Sequence, residues 1–191
     1  MKTKRIRRNG RPKSAAPQAQ CEASKIQPLN YPEPGEFKIV RLRECPVDNP
    51  RFTRPGRVAA FWRKQVVRSP WFPDSVECCC VFLLNTRRQL LGYQLIALGS
   101  LDSVNVHPRE VFRLAILAAA AAIIVAHNHP SGDPSPSEND LRVTRTLFRS
   151  GQLLEIELLD HVIIGGEGRC RRGYASLREL GYLCEKRKGA A

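Results

Sequence analysis

Between Val76 and Leu84 the chain reads VECCCVFLL, nearly continuous in apolar residues, and after the polar NTRRQ it returns to a second apolar run, LLGYQLIALGS. Two such runs joined by a short polar segment predict a β-hairpin buried on at least one face. Beyond a polar loop, HPREVFRLAILAAAAA is rich in helix formers and carries Pro108 where a first helical turn accepts it. The composition then switches to β-branched residues in IIVAHNH, which predicts a core strand ending at the histidines. SPSENDLRVTRTLFRSG predicts a second helix, with Ser135 and Glu138 as an S-x-x-E capping box, Pro136 in the first turn and Gly151 as its stop. LLEIELLDHVIIGG supplies one or two further strands, and ASLRELGYL a short helix from about Ser176. Upstream, FKIVRLREC alternates as a strand does, and TRPGRVAAFWRKQVV predicts a helix capped by Thr53 with Pro55 in its first turn. Strands alternating with helices predict an α/β domain in three layers, a mixed β-sheet flanked by helices.

The first 35 residues break this pattern. They hold Pro12, Pro17, Pro28, Pro32 and Pro34, lack apolar periodicity, and place Lys2, Lys4, Arg5, Arg7, Arg8, Arg11 and Lys13 ahead of the first acid, Glu22. Such a segment buries too little surface to offset its ordering entropy, so a disordered basic tail is expected. The expected organisation is a tail over 1–35, a small α/β lead-in over 36–75, the main domain over 76–182 and a basic C-terminal tail over 183–191. A chain of 191 residues with net charge +13 accommodates one core and such tails. The charge points to non-specific nucleic acid as a partner for the tail. No helix-turn-helix, zinc-finger or aromatic-basic signature accompanies it.

The longest apolar stretch, LAILAAAAAIIVA from Leu114 to Ala126, has thirteen residues, which is short of a membrane span and belongs in a core. The N-terminus lacks the apolar region of a secretory signal, so the expected location is cytoplasmic, with no membrane partner. The seven cysteines contain no C-x-x-C pair, and Cys78, Cys79 and Cys80 lie within an apolar run. They are expected to behave as small buried hydrophobes.

Chemistry concentrates at AHNHPSGDPSPSEND. Residues two apart at a strand end project to one face, so His127 and His129 point together while Asn128 points back. Asp140 follows eleven residues later, in the second turn of the expected helix, and the tight intervening loop folds that turn over the strand end. Two nitrogens and one carboxylate oxygen with a position left for water describe a catalytic zinc rather than a closed structural one. Histidines near a turn also hydrogen-bond loop carbonyls, and an early helical aspartate is favoured by the helix dipole alone. The full run, H-x-H-P-x(6)-S-x(2)-D, is far more specific than either feature. A carboxylate opening a buried strand is a candidate general base, and on chemistry alone both Glu77 and Glu110 qualify.

The run resembles the JAMM motif of JAB/MPN metalloproteases, and most closely that of bacterial RadC-like proteins. The resemblance extends over roughly residues 75–180, through CCVFLLNTRRQLLGYQLIALGSLDSVNVHPREVFRLAI, the motif itself and GQLLEIELLDHVIIGG. It implies a single JAB/MPN-type domain with one zinc per chain held by His127, His129 and Asp140. It also implies Ser137 as the group that polarises the scissile carbonyl, and Glu77, fifty residues before His127, as general base. Asp160 and His161 fit the family's LLDHVIIG run and are expected to support the site rather than to ligate. His107 is expected to start its helix, with Arg109 and Glu110 on that helix's face. The helix-hairpin-helix region of longer RadC proteins has no counterpart in these residues.

Two functions follow as expectations. The first is a zinc-dependent hydrolase of peptide or isopeptide bonds acting on a peptide or protein substrate. The second is a nucleic-acid-associated protein of the DNA-repair type in which the metal site is secondary. The literal letters H-N-H do not make a nuclease, because in HNH nucleases those residues are scattered over a ββα-metal unit. A base deaminase would need H-x-E with P-C-x-x-C, and no C-x-x-C exists.

Overall fold

A computed structural model describes residues 50–73, 75–99, 106–166 and 172–183. The basic tail, the expected strand at 37–45, the residues beyond Leu183 and four of the cysteines (Cys21, Cys45, Cys170, Cys184) lie outside the described residues. The elements are α1 (Pro55–Phe61), running on into a π-helical turn (Trp62–Val66), β1 (Cys78–Leu84), β2 (Leu90–Leu98), α2 (Pro108–Leu117), β3 (Ala122–Asn128), α3 (Glu138–Leu153), β4 (Glu157–Ile164) and β5 (Tyr174–Ser176). Among the described residues no helix is long and apolar enough to cross a membrane.

The strands form one mixed sheet in the order β2-β1-β3-β4-β5. β1 is antiparallel to both β2 and β3, β3 and β4 run parallel with α3 between them in sequence, and β5 returns antiparallel to β4. Strand alternation divides the core between the two faces. Cys78, Cys80, Phe82 and Leu84 pack with Phe52, Val58, Phe61 and Trp62 on the α1 face, while Cys79, Val81 and Leu83 pack with Val111, Phe112 and Leu147 on the α2/α3 face. The three consecutive cysteines are thus buried free thiols. Cys78 titrates at about 11 because burial disfavours its thiolate.

One irregularity decides which side chains reach which face. Ile123 pairs with Leu158, but the next residue, Ile124, pairs with Asp160, so β4 carries one extra residue at Leu159. Strict alternation from Leu158 would turn Asp160 toward α3 and His161 toward α1. The bulge reverses this: Asp160 stays on the α1 side with Leu159, and His161 pairs with Val125 on the α3 face.

Several local expectations need correction. Arg54, not Thr53, is the N-cap of α1, and no side chain caps it. α2 ends at Leu117 rather than running through the alanines: Ala119 adopts φ +49°, with Ala120 N–H on Ala115 C=O and Ala119 N–H on Ile116 C=O, the pairing of a Schellman ending. The capping box of α3 is Ser137 with Asp140, not Ser135 with Glu138. Asp140 therefore lies in the first turn of the helix and not the second. Ser135 instead gives its N–H to Asp133 Oδ1 at 2.9 Å. LLEIELLDHVIIGG holds one strand, and the expected helix near Ser176 is β5 followed by hydrogen-bonded turns ending near Gly181. There the Ser176 hydroxyl is already committed, donating to Asp160 Oδ2 and accepting from Glu179 N–H.

Gly151 is not a helix stop. α3 passes through it to Leu153, and a Cβ at this position would lie 2.5 Å from the Ile156 carbonyl oxygen and 3.3 Å from the Phe112 ring. The glycine lets the chain entering β4 press against the helix. Gly151→Ala would ordinarily gain roughly 0.8–1 kcal/mol of helix propensity. Here overpacking against backbone outweighs that gain, and a net loss on the order of 1–2 kcal/mol is expected in urea unfolding. A more stable variant would contradict this reading.

Candidate metal centre

The C-terminal end of β3 and the N-terminal turn of α3 meet above the α2/α3 face. His127 is wholly buried in the last paired positions of the strand, opposite Cys79 on one side and Ile163 on the other. His129 N–H donates to Ile164 C=O, Gly132 N–H to His129 C=O, and Gly166 N–H to Gly132 C=O, so the loop after the strand is laced to the end of β4. A Cβ on Gly165 would meet Gly132 O at 2.6 Å and Pro134 Cδ at 2.8 Å. The loop thus rests directly on that glycine and carries the chain to α3.

At the start of α3, Ser137 has extended backbone (φ −78°, ψ 164°) and its hydroxyl accepts Asp140 N–H at 3.1 Å. In return Asp140 Oδ2 accepts Ser137 N–H at 2.8 Å and the Ser137 hydroxyl at 2.7 Å. Asp140 is completely buried, and its other oxygen, Oδ1, accepts no hydrogen bond. Burial alone would raise this carboxyl. The close approach of the two imidazoles, together with the hydrogen bond from the Ser137 hydroxyl, outweighs burial and holds it well below the usual carboxylate range.

The protonation of both histidines follows from their partners. His129 Nδ1 lies 2.7 Å from the Asp133 carbonyl, which can only accept, so Nδ1 carries a proton and, in the neutral imidazole, Nε2 a lone pair. For His127 the deduction takes three steps. The Thr144 hydroxyl donates to Asp140 C=O at 2.6 Å, so its oxygen accepts from His161 Nδ1–H, also at 2.6 Å. His161 Nε2 is then an acceptor and takes His127 Nδ1–H at 2.9 Å, which leaves His127 Nε2 with a lone pair as well. This sequence needs a neutral His161. Its complete burial, reinforced by the positive potential of His127, depresses its pKa to about 3.

With both imidazoles neutral, two lone pairs and an orphaned carboxylate oxygen converge at one point. His127 Nε2 lies 3.0 Å from His129 Nε2 and 3.2 Å from Asp140 Oδ1, and His129 Nε2 lies 3.6 Å from Asp140 Oδ2. A tetrahedral ion with bonds of about 2.0–2.2 Å would separate its ligands by about 3.3–3.6 Å. The His-His-Asp group is a site that could hold a metal ion. Unfilled, it would leave a buried oxygen without a partner, which costs roughly 1–3 kcal/mol.

Glu77 is the last residue before β1, partly exposed, with its backbone C=O accepting Gly99 N–H at 2.9 Å. The charge of its carboxylate contributes to raising both His129 and Cys79, for which Asp140 and burial are the larger causes. The competing carboxylate, Glu110, lies on α2 and pairs with Arg109 at 3.3 Å and Arg113 at 3.1 Å. His107 caps that helix, accepting Arg109 N–H at 3.2 Å. Asp160 faces the other side of the sheet, where it accepts from His161 N–H, Arg178 N–H and the Ser176 hydroxyl. Two participants escape a reading of the motif alone. Thr144 is one helical turn beyond Asp140, a spacing that shows it on the same face. Asn128 does not simply point back: its amide reaches the neighbouring strand end, bonding Cys78 N–H and Val76 C=O.

Removing the support of His127 should weaken the metal without removing a ligand. His161→Phe is expected to reduce zinc affinity by roughly 10- to 100-fold, as loss of a ligand's hydrogen-bond partner typically does. Asp140→Ala should abolish stoichiometric binding, and Glu110→Gln should leave it unchanged. Chelator competition measures all three. Parental affinity in His161→Phe would contradict the tautomer argument.

The model of the RadC-like JAB domain matches residues 52–182. The UPF0758 protein YsxA of Bacillus subtilis is 50% identical over 104 residues, which cover 54% of this chain and 42% of the relative. The UPF0758 protein of Moorella thermoacetica is 54% identical over 100 residues, 52% of this chain and 42% of the relative. That of Methanosarcina acetivorans is 49% identical over 100 residues, with the same two coverages. The chain spans less than half the length of these curated relatives, whose names state no reaction. With the matched region spanning the whole sheet and the converging ligands, the chain belongs to the RadC-like JAB domain family.

Proposed function

We propose that the protein is a zinc-dependent hydrolase of peptide or isopeptide bonds. The observation that carries this reading is the convergence of two Nε2 lone pairs and the unpartnered Asp140 Oδ1 at one point. His127, His129 and Asp140 would hold the ion, three protein ligands being the number that leaves a position for chemistry. When bound, zinc polarises the substrate carbonyl and acidifies the attacking water.

The remaining steps belong to the chain's own side chains. Glu77 accepts a proton from the attacking water and returns it to the leaving nitrogen, so one water adds across the bond as acid and amine separate. Ser137, at the rim of the site, would turn its hydroxyl proton away from Asp140 Oδ2 and donate it to the carbonyl oxygen as negative charge builds there. His161 and Thr144 hold His127 in one tautomer throughout.

A second reading, non-specific binding of nucleic acid through the tail, is favoured by the seven basic residues that precede Glu22. It is compatible with the first. Deleting residues 1–24 should weaken duplex DNA binding and flatten its salt dependence, each lost phosphate contact lowering the log-log slope by roughly 0.9. Zinc content should be unaffected, and its loss would contradict separate roles.

Glu77→Gln tests the enzyme. It keeps the side chain's size while removing the base, so zinc content and thermal stability should stay parental. Turnover of a peptide or isopeptide substrate should fall by roughly 10²- to 10⁴-fold. Full activity would refute the assignment, and loss of zinc would make Glu77 a ligand instead.

A further inference from the structure

The backbone ladder between β1 and β3 stops at Cys79 and His127. One residue further, where the strands no longer pair through their main chains, the side chain of Asn128 takes over. Its Oδ1 accepts Cys78 N–H at 2.9 Å and its Nδ2 donates to Val76 C=O at 3.1 Å. These two peptide groups flank Glu77. The Glu77 carbonyl itself accepts Gly99 N–H from the end of β2, so the main chain is held before, at and after this residue.

We propose that Asn128 is the positioning residue for Glu77, a clamp that fixes the distance between the general base and the metal ligands. The inference rests on the hydrolase reading above and adds to it how the base is placed. Asn128 lies between the two histidine ligands in sequence and is only 8% exposed. The Asn128 side chain therefore ties the Val76–Cys78 segment to the residue between the two histidines, one position beyond the Cys79–His127 pair of the ladder.

The residue type suits this task. A carboxamide is chemically a peptide group, with one acceptor and one donor side, and both are used here. Aspartate would keep the acceptor toward Cys78 N–H but set a second acceptor against Val76 C=O. Glutamine would be one methylene too long for the gap. Val76 and Glu77 lie outside any strand, and this amide and Gly99 bond their main chain.

The experiment uses full-length, zinc-loaded protein and four forms: parent, Asn128→Ala, Glu77→Gln and the double variant, with Asn128→Asp as a milder change should the alanine fail to fold. Asn128→Ala is expected to keep one zinc per chain and to lower kcat by roughly 10- to 100-fold with KM within about threefold, the scale of a misplaced catalytic group. In the Glu77→Gln background the same change should cost less than about threefold, because the group it positions is gone. Amide hydrogen exchange supplies a readout independent of turnover: Cys78 N–H should exchange at least roughly tenfold faster in Asn128→Ala, while Cys80 N–H, inside the ladder, stays protected.

Equal losses in the two backgrounds would overturn the proposal in favour of a purely structural role. So would loss of zinc, or unchanged exchange at Cys78. If the parent hydrolyses neither peptide nor isopeptide substrates, the hydrolase reading fails and the catalytic purpose of Asn128 with it. The exchange measurement still decides whether the clamp exists.

Discussion

The hydroxyl of Thr144 has one proton, and it goes to the Asp140 carbonyl. From that single commitment the state of the whole centre follows, because each later atom in the row has one role left to it. His161 must donate to Thr144 and accept from His127, and His127 must then turn a bare nitrogen toward His129 and Asp140. The hydrogen bond from His129 to Asp133 does the same for the second imidazole within the loop. A relay of this kind works only if His161 stays neutral. The environment that keeps it so is the buried α3 face to which the bulge at Leu159 turns it.

The geometry of α3 serves two purposes with the same atoms. The Ser137–Asp140 capping box satisfies the N–H groups of Ser137 and Asp140 at the helix start, and it also orients the carboxylate so that Oδ2 is occupied and Oδ1 is not. The positive end of the helix dipole favours the ionised aspartate there. Gly165 completes the arrangement by allowing the loop between ligands to lie against β4. Helix start, loop packing and strand register thus meet at one point. Each of them fixes one of the three side chains that converge there.

Much of this was legible before any coordinates. The hairpin of β1 and β2, the core strand β3 and the layered mixed sheet follow from runs of apolar residues, a signal that is local and strong. The spacing of His127, His129 and Asp140 points to a shared ion, and the structure brings those three together. The misses have a common physical cause, since each depends on packing or pairing against another element of the fold. SPSEND contains two overlapping capping patterns, and only the seating of Asp140 among the histidines selects the second. Gly151 reads as a helix end but is a packing contact with Ile156. Tyr174–Ser176 is a strand because Val162–Ile164 offers it an edge. The bulge at Leu159 is invisible in ELLDHVII, where both faces are buried and alternation has nothing to mark. Asn128 looks like a spacer between ligands, and its amide acquires meaning only beside the end of β1.

The central claim is that two imidazoles and one carboxylate hold a single ion, although a buried thiol, Cys79, lies opposite His127 in the same sheet. X-ray absorption at the zinc edge tests this directly on the zinc-loaded protein. The account predicts a shell of nitrogen and oxygen only, at about 2.0–2.2 Å, with the scattering pattern of two imidazoles and no sulfur. A sulfur shell at about 2.3 Å, or a third imidazole from His161, would contradict it.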